Sequence, residues 1–411
     1  MTLWRNRDYL LLWGGQLASL VGTNVSQLAF PLLALALTGS AAQAGLVAAA
    51  RGLPLVALTL PAGALVDRWN RRRVMLVCDV GRALVMGALA VALALGQPTL
   101  AQLYLTALAE GTLIAFFNLA ETAALPVVVP PAQVGAAAAQ NEATANVAYL
   151  VGPLLGGLLY GLGRALPFVA DAVSYAISVA SVALIRARFQ PERSRGTVAG
   201  APGQARETPR QALAGLLRDV RAGVVWLWSQ PLLRWLALLT GTFNATLISL
   251  ELLVIVLARG RQLSPFFIGA LLTIGGLGGV VGAALSAPAR RRLRFGWLTI
   301  GVFWCVTLLL PLYPLATTAW ALGLAFALTT TLGPLFNVAQ FSYRLTRIPD
   351  ELQGRVNSVY RLVALGLQPL GLALTGALLQ RFGATATIGV FVAIMAALAV
   401  ATTASRAVRA A

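Results

Sequence analysis

Apolar residues in this chain fall in blocks of roughly 20, the length a helix needs to cross about 30 Å of hydrocarbon. The first block extends from about Leu10 to Leu37, and the turn Thr38-Gly39-Ser40 sends the chain back through about Ala42 to Leu65. A polar, arginine-dense turn follows, then blocks at about Val74 to Leu95 and Thr99 to Ala120 with Gly96-Gln97-Pro98 between them. A longer link is read from Glu121 to Gln140, then blocks at Ala143 to Leu162 and Leu166 to Ile185. Six more run from about Leu232 to Leu257, Phe266 to Ala287, Gly296 to Leu312, Ala316 to Ala339, Val356 to Leu379 and Ala384 to Thr403. Nothing alternates with the short period of a membrane barrel strand. The pattern predicts an all-α integral membrane protein with twelve transmembrane helices.

Composition agrees with that reading. Of 411 residues, 58% are hydrophobic and only 11% charged, against about 25% charged in soluble domains. The net charge is +18, and all 31 basic residues are arginine. They cluster in alternate loops: Arg5 and Arg7, Arg68 with Arg71 to Arg73, the stretch from Arg186 to Arg221, Arg290 to Arg294, Arg344 to Arg355, and Arg406 with Arg409. The opposite loops hold only Arg164, Arg259, Arg261 and Arg381. The positive-inside rule puts the first set, and both termini, in the cytoplasm. Loop arginines between spans do not form the basic face a nucleic-acid module needs.

Absent residue types exclude chemistry. Without lysine there is no P-loop and no Schiff base, and without histidine zinc and haem lose their usual ligand. Cys78 and Cys305 lie in predicted spans, outside any C-x-x-C pair, and read as small buried hydrophobes. No catalytic residue, metal site or cofactor is expected. Arg5, Arg7 and Asp8 lead straight into a full-length span, unlike a cleaved signal.

A shift of 219 positions places Gly63 on Gly282, Arg71-Arg72-Arg73 on Arg290-Arg291-Arg292, Pro130 on Pro349, Gly135 on Gly354, Gly152 on Gly371 and Gly157 on Gly376. The repeat returns the arginine loops to one side, so each unit holds an even number of spans. The expected organisation is two pseudo-symmetric six-helix bundles, residues 1–190 and 222–411. A cytoplasmic linker, 191–221, joins them, with an amphipathic helix at about Arg210 to Trp228.

Gly63-x-Leu65-x-Asp67-Arg68-x-x-Arg71-Arg72 resembles the signature loop between helices two and three of the major facilitator superfamily. Gly152-Pro153-Leu154-Leu155-Gly156-Gly157 is similar to its antiporter motif, and Ile348 to Val356 with Gly14 and Gln16 resembles the macrolide, multidrug and siderophore exporter branch. The family usually has a second glycine where this chain has Asn70. That branch often has an aspartate after a glycine in helix one, where Gly22 is followed by Thr23 and Asn24. The second-half loop carries Ser286 in place of Asp67. The resemblance implies a secondary transporter of the cell inner membrane working by alternating access. It also implies a conformational switch at Gly63, Asp67, Arg68, Arg71 and Arg72, of which only the first copy keeps the acid. Asp79 and Arg82, three residues apart on helix three, are read as a structural pair with that loop.

Ionisable residues inside spans are candidates for function because burying them is costly. Arg51 and Glu110 lie ~8 and ~11 residues from the outer ends of helices two and four, roughly 12 and 17 Å. Glu110 is expected to exchange a proton, with Arg51 tuning it and Glu251 as second candidate. Asp171 falls near the outer end of helix six, which the resemblance puts at the periphery, and is read as structural. Asn24, Gln27, Phe30, Asn118, Asn146, Asn244, Asn337 and Gln340 are the candidate liners of a substrate cavity. The expected function is proton-coupled efflux of amphiphilic small molecules. A facilitator or symporter importing a metabolite is the alternative, and a membrane-embedded enzyme a remote one. Expected partners are the substrate, protons and the bilayer, with the chain a monomer that binds no nucleic acid.

Overall fold

The computed structural model describes residues 3–66, 68–187, 189 and 209–410. Every regular element among them is helical: α1 Arg7–Thr38, α2 Ala41–Val66, α3 Arg71–Ala94, α4 Leu100–Val128, α5 Val134–Leu162, α6 Leu166–Leu184, α7 Pro209–Ser229, α8 Pro231–Gly260, α9 Pro265–Arg292, α10 Phe295–Leu309, α11 Leu312–Leu315, α12 Ala319–Leu345, α13 Gln353–Ala404 and α14 Arg406–Arg409. Among the described residues, eleven segments are long and apolar enough to cross a membrane. One of them, α13, has 52 residues and breaks at Gly383, where φ is 77°. At 1.5 Å per residue it is about 78 Å long, two crossings and not one. The twelve expected spans are therefore all present.

Turn chemistry sets the ends. Gly39 and Gly96 take positive φ just beyond α1 and α3, the left-handed conformation that closes a helix and suits a residue without Cβ. Thr99, Ser264 and Thr318 cap α4, α9 and α12, each accepting from the backbone N–H three residues on. The link read from Glu121 to Gln140 is shorter than expected. Helix α4 continues through Pro126 to Val128 and α5 begins at Val134. Only a short 3-10 turn, Pro131–Gln133, lies between them, so the prolines mark a tight reversal and not a long loop.

Two compact units result. The first comprises Met1–Ala29, Ala50–Gly152 and Leu162–Asp219, and the second Phe30–Ala49, Pro153–Gly161 and Val220–Ala411. In the first, α3 packs against α4 and α6. Its apolar core includes Tyr9, Leu12, Met75, Cys78, Phe117 and Phe189. In the second, α9 packs on α12 and α8 on α13, with Phe243, Phe303 and Phe336 in mutual ring contact. Large apolar side chains such as Val77, Leu84, Leu105, Leu308 and Leu374 point outwards. That is the arrangement hydrocarbon requires, since helices already satisfy their own backbone groups. Cys78 is buried, whereas Cys305 is exposed between Trp304 and Leu308, so the expectation of two buried cysteines holds for Cys78 alone.

The repeat is visible in local structure. Pro130 and Pro349 have nearly the same backbone (φ −55°, ψ 144° and φ −55°, ψ 141°), and each opens a three-residue 3-10 turn before a long helix. The arginine triplets differ. Arg71 to Arg73 form the first turn of α3, and Arg290 to Arg292 the last turn of α9.

Candidate functional site

The signature loop joins α2 to α3. Asn70 caps α3, its Oδ1 accepting from the Arg73 N–H at 3.2 Å, which gives a physical role to the departure from glycine. Asp67, the expected latch acid, lies outside the described residues. Arg68 is exposed, and Gly63 has open space where a Cβ would sit. Cations at a helix N-terminus oppose its dipole, and two of the three here reach away to carbonyls elsewhere in the first unit. Arg71 donates to Ala123 O at 2.8 Å, and Arg72 to Val182 O at 3.3 Å and Ala183 O at 2.7 Å, at the end of α6. The next N–H groups, of Arg186 and Ala187, donate to the Asp8 carboxylate at 3.2 and 2.9 Å. Arg72 and Asp8 thus satisfy both kinds of backbone group where α6 stops.

Deeper in the same unit the structure assembles a charged cluster. Arg51 lies ten residues into α2 and Glu110 ten into α4, about 15 Å from each helix start. Arg51 meets Glu110 bidentately, Nη2 donating to Oε1 at 2.7 Å and Nε to Oε2. Glu110 is fully buried and Arg51 is 14% exposed. Gly111 lets α2 come this close: a Cβ there would run into the Arg51 carbonyl. Tyr175 of α6 donates to Glu110 Oε1 at 3.2 Å and lies 2.9 Å from the Thr23 hydroxyl of α1. Arg82 pairs with Asp79 on α3. Its guanidinium lies 4.3 Å from the ring centroids of both Phe117 and Tyr175, a cation–π sandwich. Ser178 donates to Asp79 Oδ2 at 2.6 Å.

Asp171 belongs to this cluster and is fully buried, against the peripheral position read from the sequence. Its oxygens face Ser26 of α1 at 2.6 Å and Ser174 at 3.3 Å. A Cβ at Gly22 would strike Ser174 and Asp171. The carboxyl beside Gly22 therefore comes from α6, where the resemblance expects one on helix one. Asp171, Ser174, Tyr175 and Ser178 recur at i, i+3, i+4 and i+7 and are all buried. That polar stripe on one helix face was readable in the sequence and was missed.

The remaining candidates are scattered. Asn24 donates to Leu20 O at 2.7 Å, and its side chain fills the space beside Gly152. Gln27 is half-buried and Phe30 buried, while Asn118 and Asn146 are exposed. In the second unit Asn337 donates to Asn244 at 3.5 Å, and Asn244 to Ala364 O at 3.3 Å. Gln340 is buried with no hydrogen-bond partner at Oε1, and Glu251 is half-buried on α8 with interactions of its own. Around the antiporter-like motif Pro153, Gly156 and Gly157 are buried. A Cβ at Gly157 would run into the Pro265 carbonyl, and one at Gly269 into that of Pro153, so α5 and α9 meet backbone to backbone there.

The chain as a whole is similar to known proteins in sequence and fold. The family model described as Major Facilitator Superfamily matches residues 12–367. The multidrug efflux pump Tap of Mycobacterium bovis is 32% identical over 399 residues, covering 93% of this chain and 89% of that protein. The enterobactin exporter EntS of Escherichia coli is 27% identical over 372 residues, covering 88% and 82%. Among solved structures, the nucleoside transporter NupG superposes with a TM-score of 0.73 at 14% identity, covering 97% of this chain and 98% of that one. A bacterial homologue of the iron transporter ferroportin gives 0.71 at 15%, covering 98% and 99%. At those identities the structures speak for the fold alone.

Proposed function

Because the chain belongs to the Major Facilitator Superfamily, and is by that a multi-pass membrane transporter and not an enzyme, we propose that it is a secondary exporter of amphiphilic small molecules, drug-like or siderophore-like, driven by exchange with protons across the cell inner membrane. The observation that carries the coupling is the cluster in the first unit. Two guanidinium groups, Arg51 and Arg82, face three buried carboxyls, Asp79, Glu110 and Asp171. An odd carboxyl inside a span costs too much to leave ionised without a purpose. A proton that comes and goes supplies one. The sequence points to Glu110 as the exchanging acid with Arg51 tuning it. Held bidentately by Arg51, Glu110 keeps its place in the coupling site as the fixed charge beside the odd carboxyl, and Glu251 is the acid proposed in the second unit. Two relatives named as a multidrug efflux pump and an enterobactin exporter support the outward direction.

The switch residues act in this reading at the arginine-bearing ends, which the distribution of arginines puts in the cytoplasm. Arg71 and Arg72 hold α4 and α6 in one access state of an alternating cycle, with Gly63, Asp67 and Arg68 of the same sequence motif and the Asp79–Arg82 pair assigned to the same switch. Asn24 and Gln27 in the first unit, and Phe30, the Asn244–Asn337 amide pair and Gln340 in the second, are the proposed substrate contacts, with Asn118 and Asn146 assigned to the same task. The chain works as a monomer. The test is ethidium accumulation in a drug-sensitive bacterial host expressing the chain. Lower accumulation that returns to the control level when an ionophore collapses the proton gradient is expected. Export that survives the collapse removes proton coupling, and uptake in its place favours the facilitator.

A further inference from the structure

The cluster holds one carboxyl more than its guanidinium groups can balance, and the hydrogen-bond pattern singles out which. Glu110 has the bidentate Arg51 and the Tyr175 hydroxyl, and Asp79 has Arg82 and Ser178. Both are acceptors in charge-assisted bonds and are served as carboxylates. Among the described residues, Asp171 takes its hydrogen bonds from hydroxyls alone. Ser26 Oγ lies 2.6 Å from Asp171 Oδ2 and 3.1 Å from Thr23 O. Ser174 Oγ lies 3.3 Å from Asp171 Oδ1 and 2.8 Å from Asp171 O. A hydroxyl has one hydrogen, so each serine serves either the carboxyl or a backbone carbonyl.

That choice is what a proton site requires. With Asp171 ionised, both serines turn their hydrogens to its oxygens. With Asp171 protonated, its O–H donates to Ser26 Oγ, Ser26 turns to the Thr23 carbonyl, and Ser174 keeps its hydrogen on Oδ1. One proton binds at Oδ2, one hydroxyl rotates, and both carboxyl oxygens are met in either state. The charged and titratable groups around it are Arg51 of α2, Arg82 and Asp79 of α3, Glu110 of α4 and Tyr175 on its own helix. Once the two ion pairs are formed, protonating Asp171 brings the cluster to neutrality. We propose that Asp171, with Ser26 and Ser174 as its hydroxyl partners, is the group that binds and releases the transported proton, while Glu110 stays paired with Arg51. This rests on the proton-coupled reading above and names its carrier.

Infrared pH-difference spectra of the purified full chain in lipid nanodiscs test the site without any substrate. The carbonyl stretch of a buried protonated carboxyl is expected in the wild type, lost in Asp171→Asn and kept in Glu110→Gln. Ser26→Ala, which leaves the carboxyl in place, should move that band to higher frequency by removing its acceptor. A band that persists in Asp171→Asn, or vanishes in Glu110→Gln alone, overturns the proposal even if export is proton-driven. Ionophore-sensitive ethidium export by Asp171→Asn at the wild-type rate overturns it as well. Wild-type export indifferent to the ionophore instead overturns the coupling reading, and with it the transport role of Asp171, whatever the spectra show.

Discussion

Removing one partner of the Arg51–Glu110 pair tests the charge accounting directly. Both side chains are deep in the first unit, with Glu110 fully buried. Breaking a buried pair from one side costs about 3–5 kcal/mol, because an uncompensated charge is left behind. Replacing both partners removes both charges together. Glu110→Gln with Arg51→Met should therefore recover most of that loss and leave a deficit of about 1 kcal/mol, chiefly the weaker bond from Tyr175 to a neutral acceptor. The two single variants should also differ. Glu110→Gln takes one of three negative charges from the cluster, whereas Arg51→Met takes one of two positive ones. The arginine variant is then the less stable wherever Asp171 is ionised, and the gap narrows in acid as Asp171 takes its proton. Chemical denaturation of the detergent-solubilised chain, followed by tryptophan fluorescence, gives the four stabilities of the cycle. Losses that simply add, with a coupling below about 0.5 kcal/mol, would show that the two groups do not sense each other and would dismantle the cluster as an electrostatic unit.

Two further variants probe the helix contacts. Arg72→Ala removes the charged donor from the Val182 and Ala183 carbonyls and should cost about 1–2 kcal/mol locally. It should be read as roughly tenfold faster amide hydrogen exchange in the last turn of α6, and unchanged protection there would leave Arg72 with topology alone. Gly157→Ala places a methyl against the Pro265 carbonyl and should cost about 1–3 kcal/mol by overpacking. Gly161→Ala, one turn on and with open space around it, should be neutral or slightly stabilising, so equal melting temperatures for the two variants would rule out the close α5–α9 contact.

What could be read without the structure follows the physics of each level. Twelve spans were legible because hydrocarbon thickness imposes a length on every one of them, and even the unbroken appearance of α13 yields to that length. The partnership of Arg51 and Glu110 was legible because two charges at comparable depth in an apolar chain have few ways to be tolerated. Asp171 was misjudged because its position along α6 was weighed and its neighbours on the same face were not. Ser174, Tyr175 and Ser178 carry the signal at helical spacing, but hydroxyl residues are common in spans and only contact with α1 and α4 gives them a task. Asn118 and Asn146 were legible only as amides within spans: both are exposed, and Asn146 spends its side-chain N–H on its own helix at Glu142 O.

The arginine triplets show how a repeat can be real in sequence and unequal in effect. Arg290 to Arg292 end α9, where the helix dipole favours cations, and no outside partner is needed to hold them. Arg71 to Arg73 begin α3, where the same dipole disfavours an exposed cation by about 0.3–1 kcal/mol, a cost that carbonyls receiving Arg71 and Arg72 offset. Arg71 and Arg72 find such carbonyls on α4 and α6, the two helices that also carry Glu110, Asp171 and Tyr175. A shift of α4 or α6 that withdraws those carbonyls would return two guanidinium groups to the wrong end of a helix. The first copy of the loop is therefore conditional on the placement of the helices that bear the buried cluster, and the second copy is not. That conditionality gives the duplicated motif a mechanical asymmetry that its residues alone do not announce.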